Sequence, residues 1–310
     1  MNQNEFVSDL LNLVLEVKVN KTTNGERVNE LIREFSGDTV EYGDTKAYIS
    51  VDTLSTSDYS KTSSLLTVSE PTMDEQFLST TDRKKIAVSI SRYLMKGAFT
   101  GENSLSEAIA VMESMLEKTK IIYTYKKIVS AFENYVPTQA TQTIEVVFDQ
   151  ITGLSGADLE ATQRMNAIAL YRAVREVSLG MQTPSRKYND LGYEEMYNPD
   201  DLVFVKNSDI ESFENAYAYA ELLNSDKLND IKLYDKSILI PKEQFSGNVG
   251  RLVGWLCSKG KYQVLPRFVV ATSFADGSNL MLNEWLHFWY ISGFVNGLAC
   301  VKIVYKRAGE

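Results

Sequence analysis

The residues able to carry acid–base, metal or thiol chemistry are few in this chain and far apart. His287 is the only histidine, which excludes any site that needs two, such as the HExxH zinc proteases. It stands between Trp285 and Trp289, and this setting predicts a packed side chain rather than a catalytic one. Cys257 and Cys300 lie 43 positions apart and match neither a metal knuckle nor a disulfide framework. We predict two buried free thiols, as expected in a reducing compartment.

Two adjacent carboxylate pairs are the next candidates for chemistry. Glu194–Glu195 and Asp200–Asp201 both fall in turn-like sequence, where neighbouring side chains point in different directions, so solvated turns are predicted. The sequence has neither a GxGxxG nor a GxxxxGK[ST] phosphate-binding loop. No Ser, Thr or Cys can be matched with a histidine–carboxylate relay. We therefore predict no catalytic, cofactor-binding or metal-binding residues, no cofactor, and a protein that is not an enzyme.

Composition sets the outer bounds. The chain has 310 residues, of which 44% are hydrophobic and 24% charged, so it can bury a substantial core. Its formal net charge of -9 argues against a surface that coats nucleic acid generally. The first twenty residues carry three carboxylates and no basic region ahead of their apolar run, so no signal peptide is expected. No apolar run reaches the roughly 18 residues of a membrane-spanning helix, and no membrane partner is expected.

The longest predicted element is a helix over residues 103–135, which contains no Gly and no Pro. Ser104 and Glu107 form a capping box at its start, and a helix of this length would extend roughly 45 Å. Spacings of three and four predict a buried stripe made of Ala108, Met112, Met115, Thr119, Ile122, Tyr125, Val129 and Phe132. Further apolar residues widen the stripe: Leu105, Ile109, Leu116 and Tyr123. We interpret this helix as the spine to which the other elements attach.

Two extensions precede the spine. Residues 5–19 predict a short amphipathic helix whose apolar positions are Phe6, Leu10, Leu13, Val14 and Val17, and residues 26–35 predict a second helix. Residues 53–69 contain ten Ser or Thr among seventeen, with no Gly or Pro. Because Thr favours strands, we predict a long hairpin that is polar on both faces and needs a partner to lie on. A solvated loop is the alternative.

Strands and helices alternate through the rest of the chain. Strands are predicted at 82–94, 143–148, 262–274, 281–290 and 298–305. A helix is predicted from the Ser155 cap to Gly180, with a buried stripe of Leu159, Met165, Ile168, Tyr171, Val174 and Val177. Residues 198–240 form a strand–helix–strand unit, in which Leu202–Val205 is the first strand and Ser208 with Glu211 caps the helix.

The order of these elements resembles the major capsid proteins of tailed bacteriophages, which share the Hong Kong 97 fold. The stretch SEPTMDEQFLSTTDRKKIAVSISRYLMKGAF looks like the family's passage from extended loop to peripheral domain, and YNPDDLVFVKNSDIESF resembles its axial-domain strand and helix. The resemblance covers residues 38–306. It implies an α+β fold with an N-terminal arm (1–38), an extended hairpin loop (39–82), a peripheral domain with the spine helix (83–142), an axial domain of mixed sheet and helices (143–274), and C-terminal strands (275–310).

The resemblance also implies a function and partners. The protein would be a major capsid protein that self-assembles through pentamers and hexamers into an icosahedral shell enclosing double-stranded DNA, held non-specifically. Scaffold, portal and decoration proteins would be further partners, and the protein would be made in the host cytoplasm and located in the virion. Two alternatives stay open: a nanocompartment shell of the same fold with protein cargo, and a small-molecule enzyme built on the unit at 198–240.

Overall fold

The protein is described by a computed structural model that covers residues 26–41, 45–56, 70–91, 104–208, 232–246, 251–276, 278 and 281–309. Four sequence predictions lie wholly or largely outside these residues or lose their end there. They are the helix over 5–19, most of the Ser/Thr-rich segment at 53–69, the end of the strand at 82–94, and the helix between the two strands of the 198–240 unit. The structure also does not describe the side chains of residues 104–112, which include the predicted capping box.

Three α-helices and ten strands are described. The helices are α1 (Glu26–Phe35), the spine α2 (Ser104–Glu133) and α3 (Gly156–Met181). The strands are β1 (Lys46–Val51), β2 (Met73–Leu78), β3 (Thr80–Ser91), β4 (Thr143–Phe148), β5 (Leu202–Asn207), β6 (Lys236–Ile240), β7 (Leu252–Ser258), β8 (Tyr262–Asp276), β9 (Met281–Phe294) and β10 (Cys300–Arg307). Short 3₁₀ turns occupy Ala140–Gln142, Pro199–Asp201 and Lys242–Gln244. Most bounds agree with the sequence predictions to within a few residues.

The chain divides into two compact units. Unit 1 takes its described residues from 1–46, 78–128 and 263–293, and unit 2 takes them from 47–77, 129–262 and 294–310. Both units are therefore assembled from separate stretches of chain. The division into five consecutive segments, which the resemblance implies, stays a prediction.

Unit 1 is a three-stranded sheet in the order β3-β9-β8, covered on one face by the spine helix. Period-two alternation along β9 turns Glu284, Leu286, Phe288 and Tyr290 towards the helix, and all four are buried. Tyr123 of the helix meets Phe288 edge-on at 5.5 Å between ring centroids, and the Thr124 and Tyr290 hydroxyls lie 2.9 Å apart. Lys127 forms an ion pair with Asp82 of β3.

The buried face of the spine differs from the predicted stripe. Leu116, Ile128, Val129 and Phe132 are almost completely buried, whereas Met115 is 54% exposed and Ile122 is 44% exposed. Two carboxylates, Glu113 and Glu117, lie on the buried face. The prediction was wrong for Met115, Thr119 and Ile122 because apolar residues occur on more than one side of this helix, and the sheet selects a face that includes acidic positions.

Unit 2 contains a five-stranded mixed sheet in the order β4-β10-β7-β5-β6. β10 pairs parallel with β4 and antiparallel with β7, and β5 pairs parallel with β6 as a strand–helix–strand unit requires. The α3 helix packs against the sheet in a core that includes Val146, Leu170, Val174, Val177, Leu256 and Val301. Two sequence predictions for α3 were wrong. Met165, which was predicted to be buried, is 57% exposed, and the helix continues one residue beyond Gly180 to Met181.

The central strand β7 was missed in the sequence. Its seven residues, LVGWLCS, are buried throughout, so they show a continuous apolar run rather than alternation. Gly254 allows the neighbouring strand to approach, because a Cβ at this position would lie 2.2 Å from the Val205 carbonyl oxygen. Trp255 packs 5.5 Å from Phe132 between ring centroids.

Candidate assembly surface

A two-stranded ribbon of β1 and β2 presents a largely apolar face outwards. Alternation along the two strands places Ile49, Val51, Met73 and Phe77 on this face, and they are 65%, 45%, 64% and 58% exposed. The same alternation places one exposed carboxylate, Glu75, between Met73 and Phe77. We call the four apolar residues the ribbon face. An apolar patch of this kind on an extension without its own core is typical of a protein–protein contact. The polar hairpin was predicted between these two strands, at 53–69, and the apolar ribbon face was not foreseen.

The end of β1 is attached to unit 2 through a carboxylate. Asp52 accepts from the Arg186 guanidinium at 2.7 Å and from the backbone N–H of Glu194 at 3.1 Å. The Arg186 hydrogen bond, followed by that backbone contact, holds the pKa of Asp52 below its ordinary value. The Glu194 carboxylate accepts from the Thr53 hydroxyl at 3.1 Å and lies 3.6 Å from Arg186. Glu194, predicted to be a solvated turn residue, thus takes part in this attachment.

The β2 strand is attached through a side-chain amide. Gln76 donates to the Phe294 carbonyl at 2.7 Å and accepts from the Asn296 backbone N–H at 2.9 Å, so it pairs with the backbone as a neighbouring strand would. Beside it, a Cβ on Gly297 would lie 2.0 Å from the Ser50 hydroxyl oxygen, so a larger residue could not be accommodated without movement. Both strands of the ribbon are therefore held by unit 2 itself.

A buried polar network fixes the loop that carries Arg186 and Glu194. Lys261 is fully buried and forms an ion pair of 2.6 Å with Asp190. The other carboxylate oxygen of Asp190 accepts from the Tyr135 hydroxyl at 2.8 Å and from the Gln142 amide at 2.9 Å. Lys261 also donates to the carbonyl of Leu298 at 2.8 Å. Burial, followed by nearby negative groups, raises the pKa of Tyr135 and keeps its hydroxyl a donor. No sequence motif indicated this network, since its members are far apart in the chain.

Of the residues that could have carried chemistry, the two cysteines are brought together in unit 2, and His287 belongs to unit 1. His287 lies on the face of β9 away from the spine, with its Nε2 3.4 Å from the Thr272 hydroxyl. Cys257 and Cys300 face each other across β7 and β10 as buried free thiols, as the sequence predicted. Asp200 forms an ion pair with Lys232. Within the described ranges, no group of His, Cys, Asp and Glu is arranged to hold a metal ion.

One buried carboxyl of unit 1 has an unusual environment. Glu284 is 1% exposed, and neither of its carboxyl oxygens has a hydrogen-bond partner among the described residues. Burial, followed by repulsion from Glu113 on the spine, raises the pKa of Glu284 to about 7. Near neutral pH this side chain is therefore divided between its protonated and charged forms.

The sequence of this chain matches a described family of proteins. Residues 1–300 match the family model described as Phi29-like phage major capsid protein. No curated protein sequence matches the chain. In the described part of the chain, none of the helices combines the length and apolar character needed to span a membrane.

Solved structures of phage capsids have a similar fold. A chain in the capsid structure of Staphylococcus phage Andhra is 12% identical with a TM-score of 0.61, over 92% of this chain and 86% of that one. A chain in the structure of the head fiber and inner core protein gp22 of bacteriophage P68 is 11% identical with a TM-score of 0.62, over 90% and 84%. A chain in the capsid of Cyanophage P-SCSP1u is 10% identical with a TM-score of 0.57, over 89% and 87%. The chain thus has an α+β fold of the Hong Kong 97 capsid type, as the sequence predicted.

Proposed function

Since the chain belongs to the Phi29-like phage major capsid protein family, we propose that its copies close through pentamers and hexamers into an icosahedral shell around double-stranded DNA. As a major capsid protein of a tailed phage, it is a structural component of the virion and self-associates into capsomers. Contacts that repeat head-to-tail around a ring join two different surfaces of one subunit, so each copy needs a projecting surface and a receiving surface.

The observation that carries the proposal is the ribbon face. Four large apolar side chains point outwards on two strands whose ends are held by Asp52 and Gln76. Because both strands are already fixed in the subunit, little conformational freedom is lost when a neighbour covers them. The ribbon face is therefore suited to be the projecting half of the contact within a capsomer.

The proposal also covers the absence of catalysis, the kind of DNA contact, the further partners and the place where the protein is made. The chain is purely structural, since the described residues offer no constellation for catalysis, and its DNA contact is non-specific, in keeping with a net charge of -9. Scaffold, portal and decoration proteins are its further partners, and it is made in the host cytoplasm before it enters the virion. The five-part division into arm, extended loop, peripheral domain, axial domain and C-terminal strands describes its roles in the shell.

The test replaces two members of the ribbon face by lysine. The Ile49→Lys/Phe77→Lys variant is expected to fold with an unchanged unfolding midpoint, because both side chains are exposed in the subunit. It should fail to form rings or particles in light scattering and negative-stain microscopy under conditions in which the wild type assembles. Val136→Lys, which also replaces an exposed apolar residue of unit 2, is the matched control and is expected to assemble. Normal particles from the double variant would refute the role of the ribbon face.

A further inference from the structure

The sheet of unit 1 has a second face, turned away from the spine, that combines aromatic and basic side chains. On β9 this face carries Trp285, His287 and Trp289, all partly exposed. On β3 the register places exposed Lys85 opposite His287 and exposed Arg83 opposite Trp289. On β8 it includes Phe268, Thr272 and, by alternation, the exposed Phe274. We call this surface the aromatic–basic face.

The side chains of the aromatic–basic face are ordered in columns. The Arg83 guanidinium stacks 4.7 Å from the centre of the Trp289 ring, and Phe268 packs against Trp289 at 5.0 Å between centroids. Arg83 and Lys85 thus form a basic column on β3. Beside it, the aromatic side chains of β9 and β8 form what we call the aromatic column. On the outward side of these described strands, a carboxylate occurs at Asp276. It accepts a hydrogen bond from the Ser278 hydroxyl at 2.6 Å in the turn after β8.

This pattern favours an amphipathic acidic helix over duplex DNA. A phosphate backbone would leave the aromatic column uncovered. The described part of this face offers two strong cations, Arg83 and Lys85, fewer than the roughly 6–10 phosphate contacts of a strongly salt-dependent DNA-binding protein. An amphipathic helix lays an apolar stripe on an apolar column and leaves its charges at the border. The partner should therefore carry carboxylates in a row beside an apolar stripe.

The chain itself contains such a segment. In residues 5–17 the acidic residues are Glu5, Asp9 and Glu16, and there is no Lys or Arg. On the helix that the sequence predicts here, these three positions fall in one row alongside the stripe of Phe6, Leu10, Leu13, Val14 and Val17. Positions four apart on a helix are separated by roughly 6 Å along its axis, and positions two apart on a strand by roughly 6.7 Å. The Glu5–Asp9 spacing therefore matches the Arg83–Lys85 spacing.

The route to the face is short. The end of α1 is joined to the start of β8, where the Gly37 N–H donates to the Val264 carbonyl at 3.3 Å and the Val40 N–H to the Pro266 carbonyl at 3.0 Å. Phe268 of the aromatic–basic face follows two residues later. Residues 18–25 join the acidic segment to the start of α1, about 15 Å along the helix from this junction, and eight residues can span up to roughly 27 Å, which exceeds that length. We propose that residues 5–17 dock as an amphipathic helix on the aromatic–basic face of their own chain.

The first test is charge reversal in the unassembled full-length chain, so its outcome does not depend on shell formation. Lys85→Glu is expected to accelerate amide hydrogen exchange in residues 5–17 at least tenfold. The added changes Glu5→Lys and Asp9→Lys should restore the protection. Lys118→Glu, on an exposed part of the spine, is the matched control and should leave the exchange of this segment unchanged. Unchanged exchange in Lys85→Glu, or failure of the reversed pair to restore protection, would overturn the proposal.

The second test identifies the occupant directly. Leu13→Cys combined with Ala87→Cys, treated with a short bifunctional thiol reagent, should link within one chain, since the native cysteines are buried. Leu13→Cys with Lys118→Cys should not. Links that form only between differently tagged chains would assign the face to a neighbour's segment and overturn docking on the same chain. Protection of the face that appears only after addition of duplex DNA would overturn it as well.

Discussion

Glu284 shows how a single residue can couple this fold to pH. Its carboxyl is enclosed between β9 and the spine, and its charged form is opposed by desolvation and by Glu113. The folded state therefore holds a proton on Glu284 that the unfolded chain, with a glutamate pKa of about 4.3, releases more readily. A group whose pKa is raised on folding contributes stability below its unfolded pKa and loses that contribution as the pH rises through the folded value.

This linkage predicts that Glu284→Gln stabilises the protein at alkaline pH. Between about pH 4.5 and pH 7 the wild type should lose stability that the variant retains, because the amide never acquires a charge in the buried site. By pH 8 the stability of the variant relative to the wild type should have risen by about 3–4 kcal/mol over its value at acid pH. Urea unfolding at pH 5, 6.5 and 8 measures the difference. Glu160→Gln, on an exposed position of α3, controls for loss of one negative charge. A gain of equal size at pH 5 and pH 8 would contradict this assignment.

Asp52, Arg186 and Gln76 show how the role of a single residue can depend on a distant part of the chain. Each is an ordinary polar residue in the sequence, and each gains a role only through a partner more than 130 positions away. Their hydrogen bonds hold the ribbon, so the apolar ribbon face depends on polar residues at its base.

At the scale of elements, the spine helix divides its apolar residues between two uses. Leu116 and Ile128 are fully buried, whereas Met115 and Ile122 are exposed in the subunit. In a protein that self-associates, exposed apolar positions on a long helix are available for contacts with other copies. The spine thus contributes apolar side chains both to the core of the subunit and to its surface.

The two faces should respond differently to truncation. Leu116→Ala is expected to cost about 2–5 kcal/mol of unfolding free energy, since the side chain is fully buried. Ile122→Ala should cost about 1 kcal/mol, because the residue is 44% exposed and the alanine leaves no enclosed cavity. Ile122→Pro should nevertheless prevent folding, since proline removes a helix hydrogen bond and costs about 3 kcal/mol or more. Chemical denaturation of the unassembled chain measures all three. Equal losses from the two alanine variants would show that the burial assigned to the helix is incorrect.

At the scale of the whole molecule, the chain passes between the two units several times. Unit 2 begins at the ribbon and takes up the end of the spine, and its last strand is supplied by residues 294–310. That strand, β10, lies between β4 and β7 and hydrogen-bonds to both. The sheet is therefore completed only when the end of the described chain is in place.

Removal of the last strand should consequently abolish the fold of unit 2. Deletion of residues 299–310 is expected to eliminate cooperative unfolding, because β4 would lose its strand partner and Val301 and Ile303 would leave the core. Deletion of residues 309 and 310 alone should have little effect and serves as the control. Circular dichroism and thermal unfolding measure both. A cooperative transition in the longer deletion at the wild-type temperature would disprove the central position of β10.

The sequence by itself determined the kind and extent of most elements in this protein. The bounds of α1, the spine and β4, and the alternation of Trp285, His287 and Trp289 along β9, follow from local periodicity and from breaks at Gly and Pro. The capsid fold followed from the order of these elements. Only the tertiary structure decided which face of the spine is buried, because its sequence is apolar on more than one side. Only it revealed β7, since a strand buried on both faces shows no alternation. The same holds for the Asp52–Arg186 pair and the Lys261–Asp190 pair, because contacts between residues 134 and 71 positions apart depend on the whole fold and leave no local pattern.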